Sequence, residues 1–167
     1  MLRLSTIDKM VLLFISLAIL HVQGVIGTDC PDGFEGHHGT CYFFSHGEET
    51  WTGAYESCKI FGSMLVEINS ADEDLYLSNK ARSLGNYYWI GLTDKRVEGE
   101  YEWETSRELL TDVGYTNWGN SEPDNIGKEN CVFYASSRNY KWADAECTRT
   151  ENYICEKGPV GNVNIIG

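Results

Sequence analysis

The chain has 167 residues, 42% of them apolar and 23% charged, with a net charge of −12 from 25 acidic and 13 basic side chains. Length and apolar content suit one domain with a hydrophobic core. The acidic balance argues against nucleic acid and anionic membrane surfaces as partners and favours cations, although acidity also serves solubility alone.

Arg3 and Lys9 precede an apolar run from Met10 to Leu20. The run is short for a bilayer span but suits a signal peptide. Cleavage after Gly27 is expected, with Val25 and Gly27 at the two small-residue positions. Cleavage after Gly24 and an uncleaved signal anchor are the competing readings. Residues 1–27 are thus read as a leader, 28–157 as one domain and 158–167 as a short uncharged tail. No second apolar run follows, so a soluble, secreted chain without membrane insertion is expected. Without the leader, 11 basic and 24 acidic side chains remain, a net charge of −13. Cys30, Cys41, Cys58, Cys131, Cys147 and Cys155 read as a disulfide framework, and spacing alone does not choose their pairing. No Cys-x-x-Cys pair suggests zinc. His37-His38 lies in a Gly-rich stretch and reads as a solvated turn rather than a ligand pair.

Pro31-Asp32-Gly33 and His38-Gly39 read as turns around a strand at Thr40–Phe44. Trp51, Ala54, Tyr55, Cys58 and Phe61 have helical spacing, and Gly62 is a stop. Met64–Ile68 reads as a buried strand. Ser70-Ala71-Asp72-Glu73 is a capping box for a second helix with Leu75, Leu77, Ala81 and Leu84 inward, ended by Gly85. Tyr87–Leu92 is a β-prone run. Thr93 to Asn130 has little periodicity, but Tyr101, Trp103, Tyr115 and Trp118 argue for an irregular loop packed down by aromatics. Cys131–Ala135 and Tyr140–Ala145 read as a hairpin around Ser136–Asn139, and Tyr153–Glu156 as a last strand.

Within this stretch lies an acidic cluster: Glu122-Pro123-Asp124-Asn125, then Glu129-Asn130-Cys131, then Trp142-Ala143-Asp144. Carboxylate and amide oxygens are the ligands that hard cations such as calcium prefer. The Glu122-Pro123 bond is a candidate cis peptide. Enzyme readings are poor: there is no Gly-x-Ser-x-Gly elbow, no phosphate-cradling Gly loop and no His-Glu-x-x-His. Paired carboxylates suit a glycosidase, yet these cluster as metal ligands. Trp103, Trp118 and Trp142 are expected in the core rather than stacked on sugar rings.

The Cys30/Cys41 opening, the two helices, Trp89-Ile90-Gly91-Leu92, Glu122-Pro123-Asp124, Cys131-Val132, Trp142-x-Asp144 and Cys147-x7-Cys155 form an ordered set. That set resembles the C-type lectin-like domain in its long form and covers nearly all of the mature chain. The Cys-Pro-x-Gly-Phe start is similar to that of the perlucin-like lectins of mollusc shells and tissues. The resemblance implies an α+β fold with two helices, small antiparallel sheets and a long irregular calcium and ligand loop. It also implies the disulfides Cys30–Cys41, Cys58–Cys155 and Cys131–Cys147.

Residue by residue, the resemblance implies a Ca2+ ion and sugar hydroxyls at Glu122, Asp124, Glu129 and Asp144. A second, less complete calcium position falls at Asp94, Glu98, Asn125 and Asn130, with Glu129 shared. The family's Asn before the last Asp is Ala143 here, which removes one oxygen ligand and one amide donor. Glu-Pro-Asp mixes the mannose-type Glu-Pro-Asn with the galactose-type Gln-Pro-Asp, and Glu122 and Asp124 are both acceptors. Low monosaccharide affinity and blurred selectivity are expected. The functional expectation is a secreted calcium-dependent lectin for microbial or matrix glycans, with a role in innate immunity among the readings. The alternatives are an acidic biomineralisation or matrix protein that binds calcium or carbonate mineral, and a lectin-like domain that binds a protein partner. A homo-oligomer would add avidity to weak single sites.

Overall fold

The computed structural model describes residues 30–124 and 128–158. The expected leader, Asn125 and the expected tail beyond Gly158 lie outside the described residues. Strands β1 (Glu35–His37) and β2 (Thr40–Phe44) form a hairpin. Its two turn residues, His38 and Gly39, have φ of 46° and 90°, the pair of positive values that a two-residue I′ turn needs. Helix α1 (Trp51–Ile60) is capped by Thr50, whose side chain accepts from the Gly53 N–H, and Trp51, Ala54 and Cys58 form its buried face. Phe61, expected on that face, is largely exposed just past the helix end.

The expected strand at Met64–Ile68 pairs only as β3 (Met64–Leu65). Beyond Val66 the Glu67 N–H donates to the Glu156 carboxylate instead of a ladder carbonyl. In helix α2 (Ala71–Leu84), Ser70 accepts from the Glu73 N–H as the capping box predicts. The Glu73 carboxylate accepts from Asn69 N–H, one residue ahead of the cap, and from Tyr42 Oη–H. The inward stripe is Asp74, Leu77, Ser78 and Ala81. Leu75 and Leu84 are exposed, contrary to the expected pattern. Leu75 sits off the i, i+3, i+4, i+7 row that starts at Asp74, and Leu84 is the last residue of the helix.

Strand β4 (Tyr88–Thr93) lies at the centre of the sheet. After it come β5 (Glu102–Trp103), a short helix α3 (Leu110–Val113), β6 (Cys131–Ala135), a 3₁₀ turn (Ser136–Arg138), β7 (Lys141–Ala145) and β8 (Asn152–Lys157). Among the described residues the strand order is β1-β2-β8-β4-β6-β7, with β3 on β8 and β5 on β4. The pairings between these strands are antiparallel except β4 with β8, which is parallel. Gly91 in β4 is required by close approach: a Cβ there would stand 3.0 Å from the Leu65 carbonyl oxygen. The three disulfides are Cys30–Cys41, Cys58–Cys155 and Cys131–Cys147, the pairing that the resemblance implies.

One core cluster gathers Trp51, Trp89, Phe133 and two of the bridges, and the other gathers Trp103, Trp142, Tyr134 and the inner face of α2. Trp142 anchors the long loop. The rings of Tyr115, Trp118 and Trp103 meet it edge-on at 5.9, 5.9 and 6.0 Å, and Tyr101 meets Trp118 at 4.9 Å. Trp103 and Trp142 are fully buried, so they are packing residues and not a stacking platform for a ring. Aromatic burial thus orders a segment whose regular pieces, among the described residues, are β5 and α3.

Candidate functional site

The loop that carries Glu122 is laced to β7 by backbone bonds. Trp142 N–H donates to Asn117, Gly119 N–H donates to Trp142, and Glu122 N–H donates to Gly119. Gly119 fits closely, since a Cβ would stand 3.2 Å from both Glu122 Cγ and Arg138 Cβ and would push on them. The Glu122-Pro123 peptide is cis, as the sequence suggested. On the facing strand, Asp144 pairs with Val132 and Ala143 with Phe133. Carboxylate oxygens of Glu122, Asp124 and Asp144 consequently lie within 4.8 Å of one another. Glu129 and Ala143 line the same cleft, about 190 Å³ in volume.

Burial and the facing of acids both act on this cluster. The Glu122 side chain is only 5% exposed and pairs with Arg138 at 2.9 Å. Burial, followed by a hydrogen bond shared with Asp144, pushes Glu122 up to about 7 despite the opposing pull of Arg138. Burial and then the neighbouring Asp124 also raise Glu129. Asp144 Oδ1 accepts from the Asp124 N–H at 3.3 Å, and Oδ2 accepts from Tyr101 Oη–H at 3.2 Å. Acids that share protons because they face each other are an arrangement a divalent cation relieves. An all-oxygen, mostly carboxylate donor set fits calcium better than a soft metal.

Of the second predicted set, Asp94, Glu98 and Asn130 come together. Asp94 N–H donates to the Asn130 carbonyl, and Asn130 Nδ2 donates to Glu98 Oε2 at 3.3 Å. Asp94 is fully buried; its Oδ2 accepts from Gly99 N–H, while Oδ1 has no hydrogen-bond partner among the described residues. An orphan buried carboxylate oxygen is costly, about 1–3 kcal/mol or more, and is the kind of atom a calcium ion satisfies. Tyr101 links the two acidic groups: burial first, then Asp144 and Asp94, raise its phenol.

Sequence reasoning missed the basic side of the cleft. Arg138 and Arg149 both line it. Arg138 arrives from the 3₁₀ turn between β6 and β7, which left-handed Asn139 and Tyr140 fold back. The available signal was two arginines placed next to the acidic motifs in a chain poor in basic residues.

A family model described as Lectin C-type domain matches residues 47–157. The chain is 34% identical to Perlucin of Haliotis laevigata over 139 residues, 81% of this chain and 87% of that protein. It is 30% identical to Perlucin-like protein of Mytilus galloprovincialis over 131 residues, 76% of this chain and 82% of that one. Among solved structures it is similar to the mouse scavenger receptor C-type lectin carbohydrate-recognition domain. That likeness has a TM-score of 0.72 and 32% identity, and it covers 79% of this chain and 98% of that domain.

Proposed function

The chain belongs to the C-type lectin domain family, whose members are carbohydrate-binding proteins and not enzymes, and on that premise we propose that it is a secreted, calcium-dependent lectin of weak and mixed sugar specificity. The observation that carries this reading is the convergence of the Glu122, Asp124 and Asp144 carboxylates within 4.8 Å. Glu129 stands on the same cleft. Calcium would supply a positive centre that accepts hydroxyl oxygens as further ligands. Glu122, Asp124, Glu129 and Asp144 would hold it and accept protons from the sugar hydroxyls. Asp94, Glu98 and Asn130, together with Asn125, would hold a second ion.

Donors are the scarce half of this chemistry, because Asp124 and Ala143 stand where amides would donate. Arg138 supplies N–H groups at the rim of the cleft, and its guanidinium takes that role here. The domain is taken as residues 28–157, because the Cys30–Cys41 hairpin ahead of the family match pairs through β2 with β8. A glycan array run with calcium and then with a chelator tests the proposal. Chelator-sensitive signals on several neutral-sugar families are the expected result. Uniform silence would favour a second reading, an acidic matrix protein that binds calcium mineral or a protein partner, which the missing donors and the −13 charge support.

A further inference from the structure

At the opposite edge of the strand order from β7, the turn of the β1–β2 hairpin meets the first turns of α2. Asp72, Tyr76 and Lys80 form an i, i+4, i+8 row on that helix. Each contacts the hairpin: Lys80 pairs with Glu35 at 2.7 Å, Tyr76 stacks on His37 at 4.0 Å, and Asp72 faces both histidines. His38 Nδ1 lies 3.0 Å and His37 Nε2 3.8 Å from the same oxygen, Asp72 Oδ2. All three ligand atoms fall within 4.8 Å of one another. His37 Nε2 is buried and makes no hydrogen bond among the described residues. The next acid of that turn, Glu73, is engaged elsewhere, by Tyr42 and Asn69.

We propose that His37, His38 and Asp72 form a binding site for a divalent transition-metal ion of the zinc class, separate from the calcium cleft. The spacing supports it. Nitrogen and oxygen ligands about 2.0–2.2 Å from a tetrahedral zinc stand about 3.3–3.6 Å apart, and the two observed distances to Asp72 bracket that value. The donor set supports it as well, since imidazole selects zinc, copper or nickel over calcium and magnesium. The stack on Tyr76 fixes His37. His38 lies parallel to His37, with ring centroids 4.1 Å apart, so one ring must turn for both lone pairs to meet one ion. His38 is that ring: it sits at the tip of the turn, 73% exposed. Water completes the coordination. The proposal goes beyond the sequence reading of His37-His38 as a solvated turn, because what would turn the pair into ligands is an acid 34 residues from His38 in sequence.

The test is a calorimetric titration of tag-free full chain with zinc chloride in saturating calcium, so that the acidic cleft is already filled. One zinc per chain is expected, together with a zinc-dependent rise in melting temperature. His38→Asn keeps a residue that tolerates the positive φ and should weaken binding by roughly 10- to 100-fold or more, the scale on which metal sites respond to loss of a supporting group. Asp72→Asn should do the same, and each variant's melting temperature without zinc reports its folding. Asp144→Asn should leave zinc binding intact. Absence of saturable binding, retention of wild-type affinity by a folded His38→Asn protein, or loss of zinc binding in Asp144→Asn would each overturn the proposal.

Discussion

Two groups of acids in this protein, the buried Asp74 and the four acids of the cleft, contrast in how their oxygens are satisfied. Asp74, on the inner face of α2, accepts from Tyr134 Oη–H at 2.7 Å, Trp142 Nε1–H at 2.8 Å and Asn117 Nδ2–H at 2.5 Å. Donors surround it. In the cleft above β7, Glu122, Asp124, Glu129 and Asp144 face chiefly one another, and burial followed by proton sharing raises Glu122 and Glu129. Burial of an acid is therefore not what marks a ligand site. An acid surrounded by donors is part of the fold, whereas acids turned toward each other hold a place for a cation.

The sharpest way to break this comparison is to remove one acid from each group. Asp74→Ala leaves a phenol, an indole N–H and an amide without their acceptor, and is expected to cost roughly 3–5 kcal/mol of stability. Asp144→Ala relieves repulsion, and in chelator it should cost far less. Its loss should show only when calcium is added. Melting curves of both variants with and without calcium decide. If Asp144→Ala is as damaging as Asp74→Ala in chelator, the cleft acids are structural.

Acidity separates the groups next. Glu122 rises from an ordinary 4.5 to about 7, and a metal ligand must be deprotonated. Calcium affinity should therefore fall as pH drops below about 7, by up to roughly tenfold per pH unit for the one proton. In the metal-free protein the sign reverses. A carboxyl whose pKa rises on folding stabilises the fold fully below about 4.5, and that contribution is lost as pH rises through about 7. Glu156 acts the same way: burial pushes it up to about 8. Glu156→Gln keeps the oxygen that accepts from Glu67 N–H and should raise stability at pH 8 by about 1–3 kcal/mol, with no change in calcium affinity. Melting in chelator that rises between pH 5 and pH 8 would contradict both assignments.

Restoring the family's missing amide sharpens the cleft's side of the contrast. Ala143 is buried at 4% exposure and lines the cleft beside Asp144. Ala143→Asn adds an oxygen for the metal and an N–H for a hydroxyl. A gain of roughly 0.5–1.5 kcal/mol per bond is expected, about two- to tenfold in affinity. Asp124→Asn in the same background should tilt preference toward mannose over galactose. Calorimetry with calcium and each sugar measures both effects, and unchanged calcium affinity in a folded Ala143→Asn protein would move the metal elsewhere.

Much of this contrast was legible in the sequence, but unevenly. The helices, the cis proline loop and the four cleft acids follow from local signals: helical apolar spacing, the cap at Ser70, glycine stops, and carboxylates clustered near cysteines. Asp74 left no such signal. A charged residue in a first helical turn ordinarily faces water, and its three donors come from residues 43 to 68 positions away. The shortened β3 was hidden for a similar reason, because Glu67 bonds a side chain on the last strand. Leu75 is exposed because the inward row is set by Asp74, Leu77, Ser78 and Ala81, two of them polar residues that hydrophobic spacing does not reveal. Arg138 reaches Glu122 only through the left-handed pair that closes the β6–β7 connection.

Arg138 supplies the last and smallest prediction, and it separates the two halves of the proposed chemistry. Its guanidinium pairs with Glu122 at 2.9 Å while remaining 44% exposed. A positive charge beside a cation site opposes the cation, so Arg138→Met should raise calcium affinity. Solvent screening at a half-exposed partner limits that gain to about 0.5–1 kcal/mol, roughly two- to fivefold. Methionine keeps the aliphatic packing against Gly119, so the loop should stay in place. If Arg138 also donates to sugar hydroxyls, the same substitution should lower sugar affinity measured at saturating calcium. Opposite movements of the two affinities are the expected signature. A joint fall would mean that Arg138 shapes the loop, and a gain in calcium affinity with sugar binding unchanged would remove Arg138 from the sugar site while leaving the metal cleft as assigned.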